Sequence, residues 1–305
     1  MAPSAVVFAY HDVGVRCLSV LLAAGMRPAL VVTHRDDPRE TIWFGSVEKL
    51  ARDNGLEAAT PGDPREIEPR LASIAPDFLF SFYYRHMLPA SMLAHARRGA
   101  FNMHGSLLPK YRGRVPVNWA VLRGEAQTGA TLHEMVAKPD AGRIVDQMAV
   151  PILPDDTAHD VFRKVTVASE LVLHRALPAL VAGTAKLTPQ DLAAGAYFGG
   201  RKPEDGRIDW SQPARRIHDL VRTVAPPYPG AFTTAGGTRL RILRTRVLSD
   251  ADAPAAPALV ARGERVVARC GGGGTLVILD GVWNGGEPLD AAQLGGREIP
   301  LGESA

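Results

Sequence analysis

Phe78-Leu-Phe-Ser-Phe82, then a helix-like run from Leu88 to Ala96, then Ala100-Phe-Asn-Met-His104, is the stretch that decides the fold. Both flanking runs are apolar without alternation, the pattern of strands buried on two faces of a parallel sheet. A helical segment between two such strands makes a βαβ crossover. The same texture continues towards the N-terminus, where Ala5-Val-Val-Phe-Ala-Tyr10 and Ala29-Leu-Val-Val-Thr33 read as strands. Val15 to Ala24 reads as a helix stopped by Gly25, Ser46 to Asn54 as one closed by Gly55, and Arg65 to Ile74 as one ended by Pro76. Thr157 to Leu180 is the longest helical pattern and predicts a helix packed outside the sheet. The expected fold is α/β, with a Rossmann-like, doubly wound, mostly parallel sheet over residues 1–190.

Beyond that point the texture changes. Gly195, Gly199, Gly200, Pro203 and Gly206 interrupt any periodicity, which predicts a linker over 191–206. One helix, Ala214 to Val224, then precedes β-like runs at Thr238–Val247, Arg265–Arg269 and Thr275–Leu279. Short strands with Gly-rich turns predict a smaller C-terminal β-barrel domain over 207–305, OB-like in kind. Gly271–Gly274 reads as a flexible hairpin connection; no Gly-Lys-Ser/Thr follows, so it is not a phosphate loop.

The 305 residues are 46% hydrophobic and 22% charged, which excludes a disordered or fibrous chain. A net charge of +3 argues against a dedicated nucleic-acid coat. Cys17 and Cys270 lie far apart, so neither a zinc ribbon nor a redox pair is written here. Met1-Ala-Pro-Ser4 lacks the basic start of a signal peptide. The longest apolar stretch, Cys17 to Met26, is too short to span a bilayer, so the expectation is a cytoplasmic protein with no membrane partner. Several catalytic signatures are missing. There is no G-x-G-x-x-G after the first strand and no G-x-S-x-G elbow. His133-Glu134 opens like a zincin helix, but position 137 is Ala.

The chemistry gathers at Phe101-Asn-Met-His-Gly-Ser-Leu-Leu-Pro-Lys-Tyr-Arg-Gly-Arg114. Asn102 and His104 stand two apart, so on a strand they point to one face. The carboxyl end of such a strand is where open α/β sheets bind ligands. Together with Ser106-Leu-Leu-Pro109 and the downstream Asp140-Ala-Gly142, this pattern resembles the folate-dependent formyltransferases. The likeness extends over nearly the whole chain, with Arg207-Ile-Asp-Trp210 through Pro229-Gly-Ala-Phe232 similar to the start of that family's C-terminal barrel. Phe8–Asp12, Phe80–His86 and His104–Arg114 are similar to the branch represented by the formyltransferase domain of the bifunctional polymyxin-resistance protein. That branch formylates UDP-4-amino-4-deoxy-L-arabinose, a step of lipid A modification in lipopolysaccharide biosynthesis.

The resemblance implies that Asn102, His104 and Asp140 are catalytic and that 10-formyltetrahydrofolate is the formyl donor. The chemistry suits those residue types. An amine attacks the formyl carbonyl, and an amide donor such as Asn102 stabilises the tetrahedral oxyanion. A group titrating near neutrality, His104, moves protons between the amine and N10. A carboxylate beside it, Asp140, orients the ring and favours its protonated form. No metal is called for. The resemblance further implies a folate site made of His86, Met87, Leu88, Arg114 and Val136-Ala137-Lys138-Pro139-Asp140. The relatives carry Arg-Ala where this chain has Lys138-Pro139; proline removes a backbone donor, so the loop is expected to meet the folate differently while catalysis is retained.

Two acceptors share this chemistry. A methionyl-tRNA formyltransferase must hold a polyanion through Lys and Arg contacts. Residues 200–305 carry 14 Lys and Arg against 12 Asp and Glu, with no basic block. Arg239, Arg241, Arg244 and Arg246 are the nearest approach to one and read as a solvated strand face. The expected acceptor is therefore a UDP-amino sugar and not a nucleic acid, with Tyr10, Lys110 and Arg112 as candidates for holding it. A non-catalytic folate or nucleotide sensor is the third reading, disfavoured because all three catalytic positions are intact. A homo-oligomer is left open.

Overall fold

Ala5–Ala9 forms β1, with all five side chains buried. It pairs in parallel with β2 (Leu30–Val32) on one side and with β4 (Phe78–Phe82) on the other. β3 (Ala58–Ala59) extends the sheet beyond β2, and β5 (Gly99–His104) lies parallel to β4. The computed structural model describes residues 3–302. Among these the chain divides into two units. One takes in the chain up to Pro116, Gln127–Pro151 and Phe162–Gly199; the other takes in Val117–Ala126, Ile152–Val161 and the chain from Gly200 on.

In the first unit the helices follow local rules. α1 (His11–Ala23) starts four residues before the expected Val15, because the chain turns from strand to helix without a connecting loop. Gly14 permits that turn: a Cβ there would lie 3.2 Å from the Ala9 carbonyl carbon. α2 (Val47–Asp53) is capped by Ser46, whose hydroxyl accepts from the Lys49 N–H at 3.1 Å. A 3-10 turn, Pro64–Ile67, leads into α3 (Glu68–Ile74). The helix expected from Leu88 to Ala96 shortens to α4 (Ala90–Leu93), since Pro89 can only precede it and His95 and Ala96 bond three residues back.

The sequence reading missed the far side of the sheet. Beyond the two-residue β6 (Arg112–Gly113) and α5 (Pro116–Leu122), β7 (Gln127–Glu134) and β8 (Ile144–Pro151) add to β5 as antiparallel strands. Their Thr, Gly and Ala content hides them, and Gly129 explains why. A Cβ there would stand 2.1 Å from the Met148 carbonyl oxygen, so close pairing demands glycine. The final order, β3-β2-β1-β4-β5-β7-β8, is a mostly parallel Rossmann-like sheet, as expected. α6 (Ala158–Ala182) buries Val161, Val165, Ala168, Val172, Leu173, Ala176 and Leu177 along one stripe. Among the described residues it is the one helix long and apolar enough to cross a membrane, and half of its apolar window is already buried. Residues 191–199 are held against this unit. β9 (Tyr197–Phe198) pairs in parallel with β6, and Leu192–Ala194 forms a 3-10 turn.

The second unit is a nearly closed antiparallel barrel. It comprises β10 (Ala231–Ala235), β11 (Thr238–Ser249), β12 (Ala258–Arg262), β13 (Arg265–Arg269), β14 (Thr275–Trp283) and β15 (Ile299–Pro300). Their order is β10-β11-β14-β13-β12-β15, and an Ala235–Leu301 bridge brings the two edges together. Leu240, Ile242, Leu259, Val266, Leu276 and Ile278 fill the interior beside α7 (Ala214–Val224) and α8 (Ala291–Leu294). A bulge between Ile242 and Arg244 keeps Arg239, Arg241, Arg244 and Arg246 all exposed. The Gly271–Gly274 run joins β13 to β14 but is closely packed, not slack. A Cβ on Gly272 would lie 2.5 Å from the Gln212 carbonyl carbon, and Gly274 has φ +81°. α7 bonds to stretches from far upstream in the same unit. The buried Arg222 donates to the carbonyls of Leu153 and Asp156, His218 Nε2 meets the Pro154 carbonyl, and Asn118 donates to the Thr223 carbonyl.

Candidate active site

Asn102 and His104 sit at the carboxyl end of β5, and the register of β7 sets His133 opposite Asn102 and Thr131 opposite His104. His133 is 2% exposed. Its Nδ1 lies 2.8 Å from the Glu134 carbonyl and its Nε2 lies 3.1 Å from Asn102 Nδ2. A carbonyl only accepts, so Nδ1 carries the proton; in the neutral ring Nε2 accepts from the Asn102 amide. The same logic applies to His104, whose Nε2 meets the Tyr111 carbonyl at 2.8 Å. Its Nδ1 then faces Asp140 Oδ1 at 3.6 Å.

Asp140 joins these groups. Oδ1 is 3.5 Å from His133 Nε2, and Oδ2 accepts from the Gly113 N–H at 2.8 Å. Burial would raise this carboxyl. The His104 and His133 imidazoles and the Gly113 N–H override it and hold the group well below the usual carboxylate range. The three residues singled out in the sequence therefore converge, and His133 stands among them. Its only visible mark in the sequence was the His-Glu pair set aside for lacking a zincin partner. Finding it needed β7, because the strand pairing alone brings it to Asn102.

The surrounding loops are fixed by side-chain bonds. Thr131 Oγ1 donates to the Ser106 carbonyl at 2.6 Å and accepts from the Leu108 N–H at 3.1 Å. Gln147 Nε2 donates to the Leu108 carbonyl at 2.8 Å, and Ser106 Oγ donates to the Lys110 carbonyl at 2.6 Å. The Ser-Leu-Leu-Pro stretch is thereby locked between β5 and β7. Asp140 has φ +51°, and the Ala141 N–H bonds to the Lys138 carbonyl at 3.3 Å. A residue at positive φ following proline in such a turn is the type II arrangement, with proline at its favoured second position. Pro139 thus suits the turn that presents Asp140.

The residues expected around the folate divide by exposure. Leu88 is buried in the same apolar cluster as Met135, which brings the segments 86–88 and 136–140 to one edge of that core. Met87 is 60% exposed, and Val136, Ala137 and Lys138 are exposed, as are His86 and Arg114. Exposed Met and Val beside the half-buried Asn102 and Asp140 and the buried His104 suit a planar heteroaromatic ring. The residues proposed for the sugar nucleotide fare differently. Lys110 is exposed. Arg112 is 7% exposed, and its guanidinium donates to the Leu192 and Gly195 carbonyls at 3.3 Å each, so it braces the chain. Tyr10 is 4% exposed; its hydroxyl donates to Asp36 at 2.7 Å beneath the Arg85 guanidinium, so that hydroxyl is already engaged. Nearby, burial, with His86 and Arg85 alongside, pushes His34 down to about 4. Its neutral Nε2 accepts from the Arg85 N–H at 3.0 Å while the ring stacks on Tyr84 at 4.1 Å.

Similar proteins share this build. The N-formyltransferase from Helicobacter canadensis, solved with folinic acid and dTDP-3-aminofucose, is 20% identical with a TM-score of 0.72. The match covers 91% of this chain and 99% of that one. WlaRD, a sugar 3N-formyltransferase solved in the presence of dTDP and 5-N-formyl-THF, is 19% identical over 91% of this chain and 97% of that chain, with a TM-score of 0.71. HypX from Aquifex aeolicus in complex with tetrahydrofolic acid is 18% identical over 97% of this chain and 47% of that chain, with a TM-score of 0.61. Residues 201–297 match the family model described as formyl transferase, C-terminal domain. Residues 23–177, half of the chain, match the model described as formyl transferase, and the chain belongs to that family.

Proposed function

We propose that this enzyme moves the formyl group of 10-formyltetrahydrofolate onto the amine of a nucleoside-diphosphate amino sugar. The observation that carries this reading is the convergence of Asn102, His104, Asp140 and His133 at the carboxyl end of β5. The folate, held by His86, Met87, Leu88, Arg114 and 136–140, supplies the formyl group on N10. Asn102 spends one amide hydrogen on His133 and directs the other to the formyl oxygen, where negative charge develops. His104 keeps Nε2–H on the Tyr111 carbonyl, takes up the amine's proton at Nδ1 beside the ionised Asp140, and returns it to N10 as the formyl C–N10 bond breaks and tetrahydrofolate leaves. Asp140, tied to Gly113, neither moves nor titrates in the working range.

The acceptor we favour is UDP-4-amino-4-deoxy-L-arabinose. This rests on Phe80–His86 and His104–Arg114, and two relatives of the same fold were solved with dTDP-3-aminofucose or in the presence of dTDP. The four exposed arginines of β11 favour a second reading, methionyl-tRNA, although Arg246 is already paired with Asp155. The test is loss of 10-formyltetrahydrofolate on mixing enzyme with each acceptor in turn. Turnover with the UDP- or a dTDP-amino sugar is expected. Turnover with charged methionyl-tRNA and none with either sugar overturns the proposal.

A further inference from the structure

Gln190 lies outside the mechanism described above, yet its side chain reaches the turn that carries Asp140. Nε2 donates to the Asp140 carbonyl at 3.0 Å and to the Gly142 carbonyl at 2.5 Å. Two acceptors fix the orientation of the amide, because an oxygen in that place would face two carbonyls. Oε1 is buried and has no hydrogen-bond partner. An amide with an idle acceptor is kept for what it donates.

The segment around Gln190 is itself anchored. Thr188 and Ile144 exchange both backbone hydrogen bonds at 2.8 Å. Asp191 accepts from the Ala193 N–H at 3.0 Å, and the Leu192 and Gly195 carbonyls receive Arg112. Tyr197–Phe198 then pairs with Arg112–Gly113, and Gly113 is the backbone donor to Asp140 Oδ2. Residues 188–198 therefore brace both loops that converge on Asp140. The turn needs such support: Asp140 is a non-glycine residue at φ +51°, closed by a 3.3 Å backbone bond. A side chain in the left-handed region persists where its surroundings over-determine it.

We propose that Gln190 is a positioning residue that holds the Asp140 turn, so that the carboxylate stays between His104 and His133. The proposal rests on the role given to Asp140 above. It acts through donation to two carbonyls, which separates it from mere space filling. Gln190→Met keeps the length and apolar bulk and removes the donor. Gln190→Lys replaces the donor with one bearing several N–H groups.

The experiment compares both variants with wild type and with Asp140→Asn. It reads kcat and KM for folate and amino sugar, together with the carbon-13 titration of the Asp140 carboxyl. Gln190→Met is expected to lower kcat about tenfold or more with both KM values within about threefold, and to move the Asp140 titration towards the ordinary carboxylate range. Gln190→Lys is expected to recover most of kcat and to restore the titration. A Gln190→Met enzyme with wild-type kcat and an unmoved titration overturns the proposal. So do equal losses in Met and Lys variants with the titration unmoved. If Asp140→Asn turns over like wild type, the role of Asp140 fails, whereas the titration still reports whether Gln190 holds the carboxylate.

Discussion

His133 and Asn102 face each other across the β5–β7 pair, with Nε2 3.1 Å from the amide nitrogen, and the imidazole decides which way the amide points. His133 Nδ1 donates to the Glu134 carbonyl, and Nε2 lies between the Asn102 amide nitrogen and Asp140 Oδ1. His133→Leu removes this constraint at nearly constant volume. We expect kcat to fall about 10- to 100-fold with little change in KM, since positioning is lost and binding is not. Steady-state kinetics with folate and amino sugar check it; an unaltered kcat would show that Asn102 orients without help.

Removing the groups themselves should cost more. Asn102→Ala is expected to lower kcat about 10²- to 10³-fold, the usual loss of one oxyanion donor. His104→Ala should lower it about 10²- to 10⁴-fold. Melting curves should stay close to wild type, and a folded variant with normal turnover strips that residue of its role.

Acid sensitivity follows from His34. Its folded-state value of about 4 lies below the ordinary 6.5, so the unfolded chain binds the extra proton first. The stability held by the neutral ring is fully present above pH 6.5 and is lost as pH falls towards 4. Asp140, also depressed, acts in the same direction at lower pH. Urea melts between pH 7 and pH 4 should show wild type weakening on acidification and His34→Gln weakening less. Parallel curves for the two proteins would count against this account.

Pro139 should be an asset. It presets the second position of the turn that ends at Asp140, so Pro139→Ala frees the unfolded chain at little gain to the folded one. A loss of about 0.4–1 kcal/mol is expected from denaturant melts. Unchanged or greater stability would mean the turn gains nothing from proline.

In the barrel, Gly272→Ala forces a methyl to within 2.5 Å of the Gln212 backbone. Overpacking of this kind costs about 1–3 kcal/mol. A Gly263→Ala control meets no neighbour in space, though its φ of +60° carries strain of its own. Thermal melts should rank Gly272→Ala as the more destabilised, and the reverse order would remove close packing as the reason for the glycine run.

The parallel half of the sheet was legible because its strands are apolar end to end, and α7 fell on Ala214–Val224 as expected. The edge formed by β7 and β8 was not, because Gln127-Thr-Gly-Ala carries neither run nor alternation, and only pairing with β5 makes it a strand. The same blindness hid His133. Asn102, His104 and Asp140, picked out by spacing and resemblance, come together around His133. The inward bonds of Arg112 and Tyr10 were not legible, because nothing in a sequence tells whether a long polar side chain turns to a carbonyl or a carboxylate.

Arg222, His218 and Asn118 join α7 to Leu153–Asp156 and to α5, stretches more than sixty residues upstream of the helix. Protein engineers grafting a new barrel onto this enzyme therefore face a knitted seam. A chimera spliced at a single point near residue 200 would inherit Val117–Ala126 and Ile152–Val161 shaped for the barrel it has discarded. Five crossovers, at both ends of each of those two inserts and at Gly200, are what a working exchange requires.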